Sequence, residues 1–256
     1  MRLIPRRRRV VSLLAIVSAA ALAALLELPR ALADEHFEAT PPWLQRHVGD
    51  GDGQISEIVL QRARALYMQK VVEGSAKHPC YFAMDATRPS VAGSGGVARR
   101  FYIICEHDMS FRAISSGYGN GRRLPGANFA NGRRCAKNFS NAEGSKLTTG
   151  GGYVTAETRT SFKGYYRTRG KSVPLVRAFV QFEGEGDTAN ARERAIGGHS
   201  AVLLRGMCLR KRPDSPYANE KGYVPYGRLL NYSSGRSNGC TSWTPEDSEL
   251  IVDMIK

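Results

Sequence analysis

The chain has 256 residues, with 37 Lys and Arg against 23 Asp and Glu, a formal charge of +14, and five cysteines. That length suits one large core, or one domain with a helical appendage, and argues against a string of domains. The charge points to an anionic partner: cell-wall polymer, lipid headgroup or nucleic acid.

Residues 1–33, MRLIPRRRRVVSLLAIVSAAALAALLELPRALA, read as an export signal: a cationic start, an apolar run over 10–26, Pro29, and Ala31-Leu32-Ala33 as a small-residue cleavage site. The arginines at 6–9 leave twin-arginine export open, and the apolar run is nearly long enough to persist as an uncleaved anchor. The protein is therefore expected in the periplasm or attached to the envelope, and export removes nucleic acid from the partners. Residues 34–256 carry +9.

Residues 34–78 are expected to form a short helical appendage. Apolar residues at helical spacing in SEIVLQRARALYMQKVV predict a helix over 57 to about 72, with Ser56 as N-cap. Just before it, DGDGQIS at 50–56 has part of a calcium-loop pattern, but Val48 and Val59 occupy the positions where an acid and a bidentate Glu belong. A solvated turn is the simpler reading.

From 79 to 256 the texture is that of short strands and glycine-rich loops, a mainly β domain with a closed or sandwiched sheet. CYFAMDATR and RRFYIICEHD read as a hairpin. Setting Cys80 against Cys105 also sets His78 against His107, giving a cross-strand disulfide or, alternatively, a Cys2His2 zinc site. NGRRLPGANF from Asn120 and NGRRCAKNF from Asn131 form a near-repeat of basic loops. Together with the stretch at 210–212 they predict a basic rim of Arg122, Arg123, Arg133, Arg134, Arg210, Lys211 and Arg212, suited to an anionic envelope polymer. Cys135 and Cys208 are expected to pair through these loops.

An odd cysteine count in an exported chain leaves one thiol over, and SSGRSNGCTSW isolates Cys240 in a polar, turn-prone segment. A cysteine nucleophile needs a base, an orienting group for that base, and N–H donors for an oxyanion. His199, emerging from the strand-like ERAIGGHSAVLL behind Gly197-Gly198, is the candidate base, because the other histidines fall in the appendage or the hairpin.

These residues carry a resemblance. SNGC at 237–240 with HS at 199–200, in series with DATR…RRFYII, ISSGYGN, NFSNAEGSKLTTGGGYVT, NARERAIGGH and IVDMIK, is similar to the YkuD-type L,D-transpeptidases, in particular their murein L,D-transpeptidase catalytic-domain branch. The likeness runs from about Asp85 to Lys256. It implies a β-sandwich or barrel-like catalytic domain that crosslinks peptidoglycan stem peptides through a cysteine thioester, with no cofactor and no metal. By the same resemblance Cys240 is the nucleophile, His199 the base, and Ser200 the residue whose carbonyl orients the imidazole. Gly239 and Asn238 fall at the oxyanion, and Arg236 and Ser237 at substrate binding.

The chain departs from that pattern at Asn238, where the wider family has His; at Gly197-Gly198, where an apolar pair is usual; and at Ser116-Gly117, where His-Gly is usual. A basic insert at 208–223 lengthens the interval between His199 and Cys240 and is expected to overhang the cleft as a lid. Two other functions stay open: an L,D-carboxypeptidase using the same acyl-enzyme, and a non-catalytic wall-binding protein. The sequence does not fix the oligomeric state.

Overall fold

The structure, a computed structural model, describes residues 39–256 apart from 133, 233 and 234. The expected export signal and Arg133 lie outside the described residues. Thr40–Lys256 form one compact unit, and among the described residues no helix is long and apolar enough to cross a membrane.

The unit is mainly β. A one-turn helix α1 (Pro42–Gln45) precedes helix α2 (Glu57–Val72). Strands β1 (Cys80–Met84), β2 (Phe101–Cys105) and β3 (Ser110–Ile114) form an antiparallel sheet in that order. The apolar run of β2 has the reason expected of a central strand: it is buried on both faces. One face packs Tyr81, Ala83, Tyr102 and Ile104 against Leu44 and Leu60 from the helices. The other packs Phe101, Ile103 and Cys105 against Trp243 and Ile251.

The hairpin register matches the sequence reading: Cys80 lies opposite Cys105, and the two form a disulfide. Both sulfurs are thereby withdrawn from the zinc alternative. Helix α2 also begins and ends where its periodicity placed it, with Ser56 at the N-cap; the Ser56 carbonyl accepts the Leu60 amide at 3.0 Å, while its hydroxyl donates to Asp85 at 3.4 Å and not to a helix amide. Two acids of the calcium-like loop are paired with arginines. Arg99 binds both carboxylate oxygens of Asp52, at 2.7 Å through its amide and 3.0 Å through Nε, and Asp50 lies 3.5 Å from Arg88. No group of acids, histidines or cysteines suited to a metal occurs among the described residues.

The larger sheet has six strands: β7 (Tyr153–Thr168), β8 (Lys171–Gly184), β9 (Gly197–Ser200), β10 (Val202–Lys211), β11 (Tyr223–Asn231) and β13 (Thr241–Trp243), in the order β10-β11-β7-β8-β9-β13. β11 pairs with β7, and β13 with β9, in parallel; the other neighbours are antiparallel. Short ribbons β4 (Tyr118–Gly119) with β12 (Arg236–Ser237), and β5 (Arg123–Leu124) with β6 (Ala127–Asn128), complete the strands. Helix α3 (Pro245–Met254) is capped by Thr244, whose Oγ1 accepts the Asp247 amide at 3.0 Å.

Two expectations are corrected here. Cys135 and Cys208 are free thiols: Cys208 sits on edge strand β10 opposite Tyr226, whereas Cys135 lies in the loop after Asn131, beside the buried Arg100. The 208–223 insert is not a lid. It is the distal half of the β10–β11 hairpin, whose tip turns onto β7, with Tyr217 edge-on to Tyr165 and Ser215 bonded to the Tyr165 hydroxyl at 3.2 Å. At about 3.3 Å per residue that tip lies roughly 30 Å along the hairpin from Val202, the end adjoining His199. The expected basic rim is divided for the same reason, with Arg210, Lys211 and Arg212 at the hairpin tip and Arg122 and Arg123 near the Leu147 loop.

Candidate active site

Strand pairing sets the strand of His199 alongside the one that follows Cys240. β13 runs parallel to β9 with Thr241 opposite Gly198, Ser242 opposite His199 and Trp243 opposite Ser200. One step earlier, this register sets Cys240 beside Gly197. Residues two apart on a strand share a face, so Cys240, Gly197 and His199 face the same way. From β8, Phe179 is the register partner of His199 and stacks on the imidazole with ring centroids 6.3 Å apart and planes at 24°. Arg159 lies over the far side of that ring system, 4.9 Å from the Phe179 centroid.

His199 is buried, and its Nδ1 is 2.9 Å from the Ser200 carbonyl oxygen. A carbonyl only accepts, so Nδ1 carries the proton and Nε2 presents its lone pair. Burial holds the imidazole below its ordinary value of 6.5, and Arg177 adds to this against the opposing effect of the Ser200 bond. His199 is thus neutral near pH 7. Cys240 is half-buried and its Sγ contacts the Ala195 carbonyl oxygen at 3.5 Å. Burial pushes the thiol up, while the Gly197 N–H and the guanidinium groups of Arg177 and Arg194 pull it down. Both shifts favour the uncharged forms, a thiol at Cys240 and a neutral imidazole at His199.

The turn before Cys240 has its own logic. The Gly239 φ of +123° is a conformation L side chains rarely adopt, and a Cβ there would meet Ile196 Cδ1 at 2.7 Å and the Leu147 carbonyl oxygen at 3.1 Å. The Gly239 carbonyl accepts from Thr148 Oγ1 at 3.0 Å. Its amide donates to Ser237 Oγ at 3.2 Å, and Ser237 Oγ in turn bonds the Cys240 carbonyl. In this arrangement Ser237 is buried and ties the turn, and the Gly239 N–H is engaged within it. The Asn238 side chain is exposed. The side chain of Arg236 lies outside what the structure describes.

Gly197, Gly198 and Gly117 mark close packing. A Cβ on Gly198 would sit 1.9 Å from Trp243 Cη2, and one on Gly197 would sit 2.2 Å from the Val180 carbonyl oxygen and 2.5 Å from Phe179 Cζ. A Cβ on Gly117 would reach Ser242 Oγ at 2.2 Å, and the Gly117 amide donates to the Ser242 carbonyl at 2.7 Å. The Ser116 carbonyl accepts from the buried Arg100 at 2.8 Å.

A cavity of about 830 Å³ opens between α2, β1 and the 148–155 segment. Neither Cys240 nor His199 lines it, and Thr241 reaches it from the opposite face of β13.

Sequence reading missed Phe179, which stacks on the imidazole, and Arg177, which lowers its pKa, both on β8. Their alternation within RAFVQF was visible, but the pairing of β8 with β9 was not. No family model, curated protein or solved structure matches the chain.

Proposed function

We propose that the protein is an exported cysteine acyltransferase of the L,D-transpeptidase type, acting on peptidoglycan stem peptides. The observation that carries this reading is the β9–β13 register, which aligns Cys240 and His199 on one face while the Ser200 carbonyl leaves His199 Nε2 as the base. The disulfide accords with an oxidising compartment.

In this mechanism His199 Nε2 takes the Cys240 proton as the sulfur attacks the carbonyl of the third stem-peptide residue. The tetrahedral intermediate collapses to a thioester, and the imidazolium returns its proton to the departing D-alanine amine. An acceptor amine, deprotonated by His199, then attacks the thioester to form the crosslink and release the thiolate. With water as acceptor the same acyl-enzyme gives an L,D-carboxypeptidase. The Gly239 N–H, bonded to Ser237 in the resting structure, serves the oxyanion only if that bond opens on substrate binding.

Residues 34–256, incubated with defined tetrapeptide muropeptides and followed by mass spectrometry, should yield crosslinked dimers and a transient adduct on Cys240. Trimmed tripeptides alone would make the protein a carboxypeptidase. The absence of both products, with no Cys240 adduct, would sink the enzymatic reading in favour of wall binding alone.

A further inference from the structure

The charge of this protein is concentrated on four strands, most of whose cations lie outside the surroundings of Cys240 and His199. Residues 153–184 and 202–231, which contain β7, β8, β10 and β11, hold twelve Lys and Arg against four Asp and Glu. The rest of 34–256 holds nineteen against eighteen. These strands form a blade. Residues 157–161 of β7 and 205–211 of β10 are continuously exposed, so both faces of the sheet meet solvent there. A core-facing strand would alternate.

Two of the four acids, Glu157 and Glu183, are engaged by Arg192, which lies outside the blade strands. Among the described residues, Lys163, Arg167, Lys171, Arg205, Arg210 and Arg228 form no ion pair with an acid. Arg205 and Arg228 are register partners across β10 and β11, and both are exposed. Directly opposed like charges destabilise a strand pair. Lys163 and Arg167 lie on one face, by their register with Val176 and Ser172, and Lys171, opposite Thr168, on the other.

We infer that the blade is a docking surface for an acidic polysaccharide of the cell envelope, with repeated anionic groups of the chain seated between cations such as Arg205 and Arg228. The choice of an envelope glycan rests on the export reading; the anionic character of the partner rests on the blade alone. A thin sheet with cations on both faces cannot lay both on a planar bilayer, whereas a polymer mesh can surround it. The site is separate from Cys240, so binding should survive loss of the thiol.

The test measures binding of residues 34–256 to polygalacturonate, dextran and phosphatidylglycerol vesicles across salt, for the parent protein, R205E, R205E/R228E and C240S. Polygalacturonate should bind, dextran should not, and C240S should bind like the parent. Counterion release predicts that R205E/R228E lowers the log–log salt slope by about two. Because R205E creates an opposite-charge pair with Arg228, it should raise the unfolding midpoint while weakening binding, a combination that general misfolding would not give. Unchanged binding and slope in R205E/R228E would overturn the proposal, as would retention on vesicles but not on polygalacturonate. Failure of muropeptide turnover, with polygalacturonate binding intact, would count against the transpeptidase reading alone.

Discussion

Gly198→Ala tests how the site is held together. Gly198 precedes His199 on β9 and faces Trp243, whose ring carbon Cη2 would lie 1.9 Å from the new Cβ. Carbon atoms pack at about 3.5–4.0 Å, so the indole or the strand must move by roughly 1.6 Å or more. The indole has little room to do so: Trp243 is 1% exposed, with Phe101 edge-on at 5.3 Å and Ile103, Ile114 and Ile251 in the same cluster. Gly198 is not among the positive-φ glycines, so the effect is steric and not conformational. Overpacking of this kind costs about 1–3 kcal/mol, or a fall in Tm of about 2–4 °C per kcal/mol for a domain of this size. Thermal and urea unfolding would measure it, with Gly96→Ala, which meets nothing within 4 Å, as the neutral control. Trp243→Phe frees space at the ring end, so the double variant should be less destabilised than the sum of the two. If the two effects add to within about 0.3–0.5 kcal/mol, the contact has no energetic weight and the reasoning fails.

Further outcomes follow from the same geometry. Cys240→Ser should abolish adduct formation by a carbapenem without lowering the unfolding midpoint, and serine-variant crosslinking at the parent rate would refute the nucleophile assignment. His199→Ala should slow acylation about 10²- to 10⁴-fold, measured by the rate of adduct growth. Because the folded protein holds the His199 pKa below 6.5, the unfolded chain binds that proton more readily. Its contribution to stability is complete above pH 6.5 and is lost as pH falls toward the folded value; His199→Gln should flatten the urea-midpoint profile there. Replacing both Cys80 and Cys105 by Ala opens a link between residues 25 apart in sequence and should cost about 3.5 kcal/mol by loop entropy, read as the difference in urea unfolding free energy. Glu106→Gln breaks a pairing in which Arg64 donates at 2.7 and 3.1 Å and Tyr81 at 2.8 Å; with Arg64 mostly buried, unfolding should shift by about 3 kcal/mol.

What the sequence made legible was local. Helix α2 announced itself through apolar spacing, and the β1–β2 hairpin through two aromatic and branched runs whose cysteines fixed the register. Cys240 stood out because a glycine-led polar turn gives a thiol no core to hide in. The failures are all non-local. A hairpin insert and a lid have the same composition, and only the pairing of β11 with β7 decides that 208–223 points away from the cleft. Charge runs at 122–123 and 210–212 look alike in sequence, yet strand order sends them to different parts of the molecule. Cys135 and Cys208 were matched by parity of number, which says nothing of distance. At Ser237 and Ser56 the sequence supplied a hydroxyl able to bond several neighbours, and the fold used a different one from that expected: Ser237 binds the Gly239 amide, and Ser56 binds Asp85.

The departures from the transpeptidase pattern bear on function in a specific way. An apolar pair before the histidine and Gly197-Gly198 would ordinarily be treated as a loss, since glycine removes side chains from the wall of a site. Here the removed volume is filled from other strands. Trp243, three residues beyond Cys240, covers Gly198, and Phe179 from β8 reaches over Gly197 to stack on His199. These contacts depend on β13, which follows Cys240, lying beside β9, which carries His199. Gly117 is equally enclosed: Ser242 Oγ and the Gly235 carbonyl occupy the space a side chain would need. Close packing of Trp243 on Gly198 and of Phe179 on Gly197 and His199 therefore makes the geometry around the imidazole sensitive to a single added methyl group.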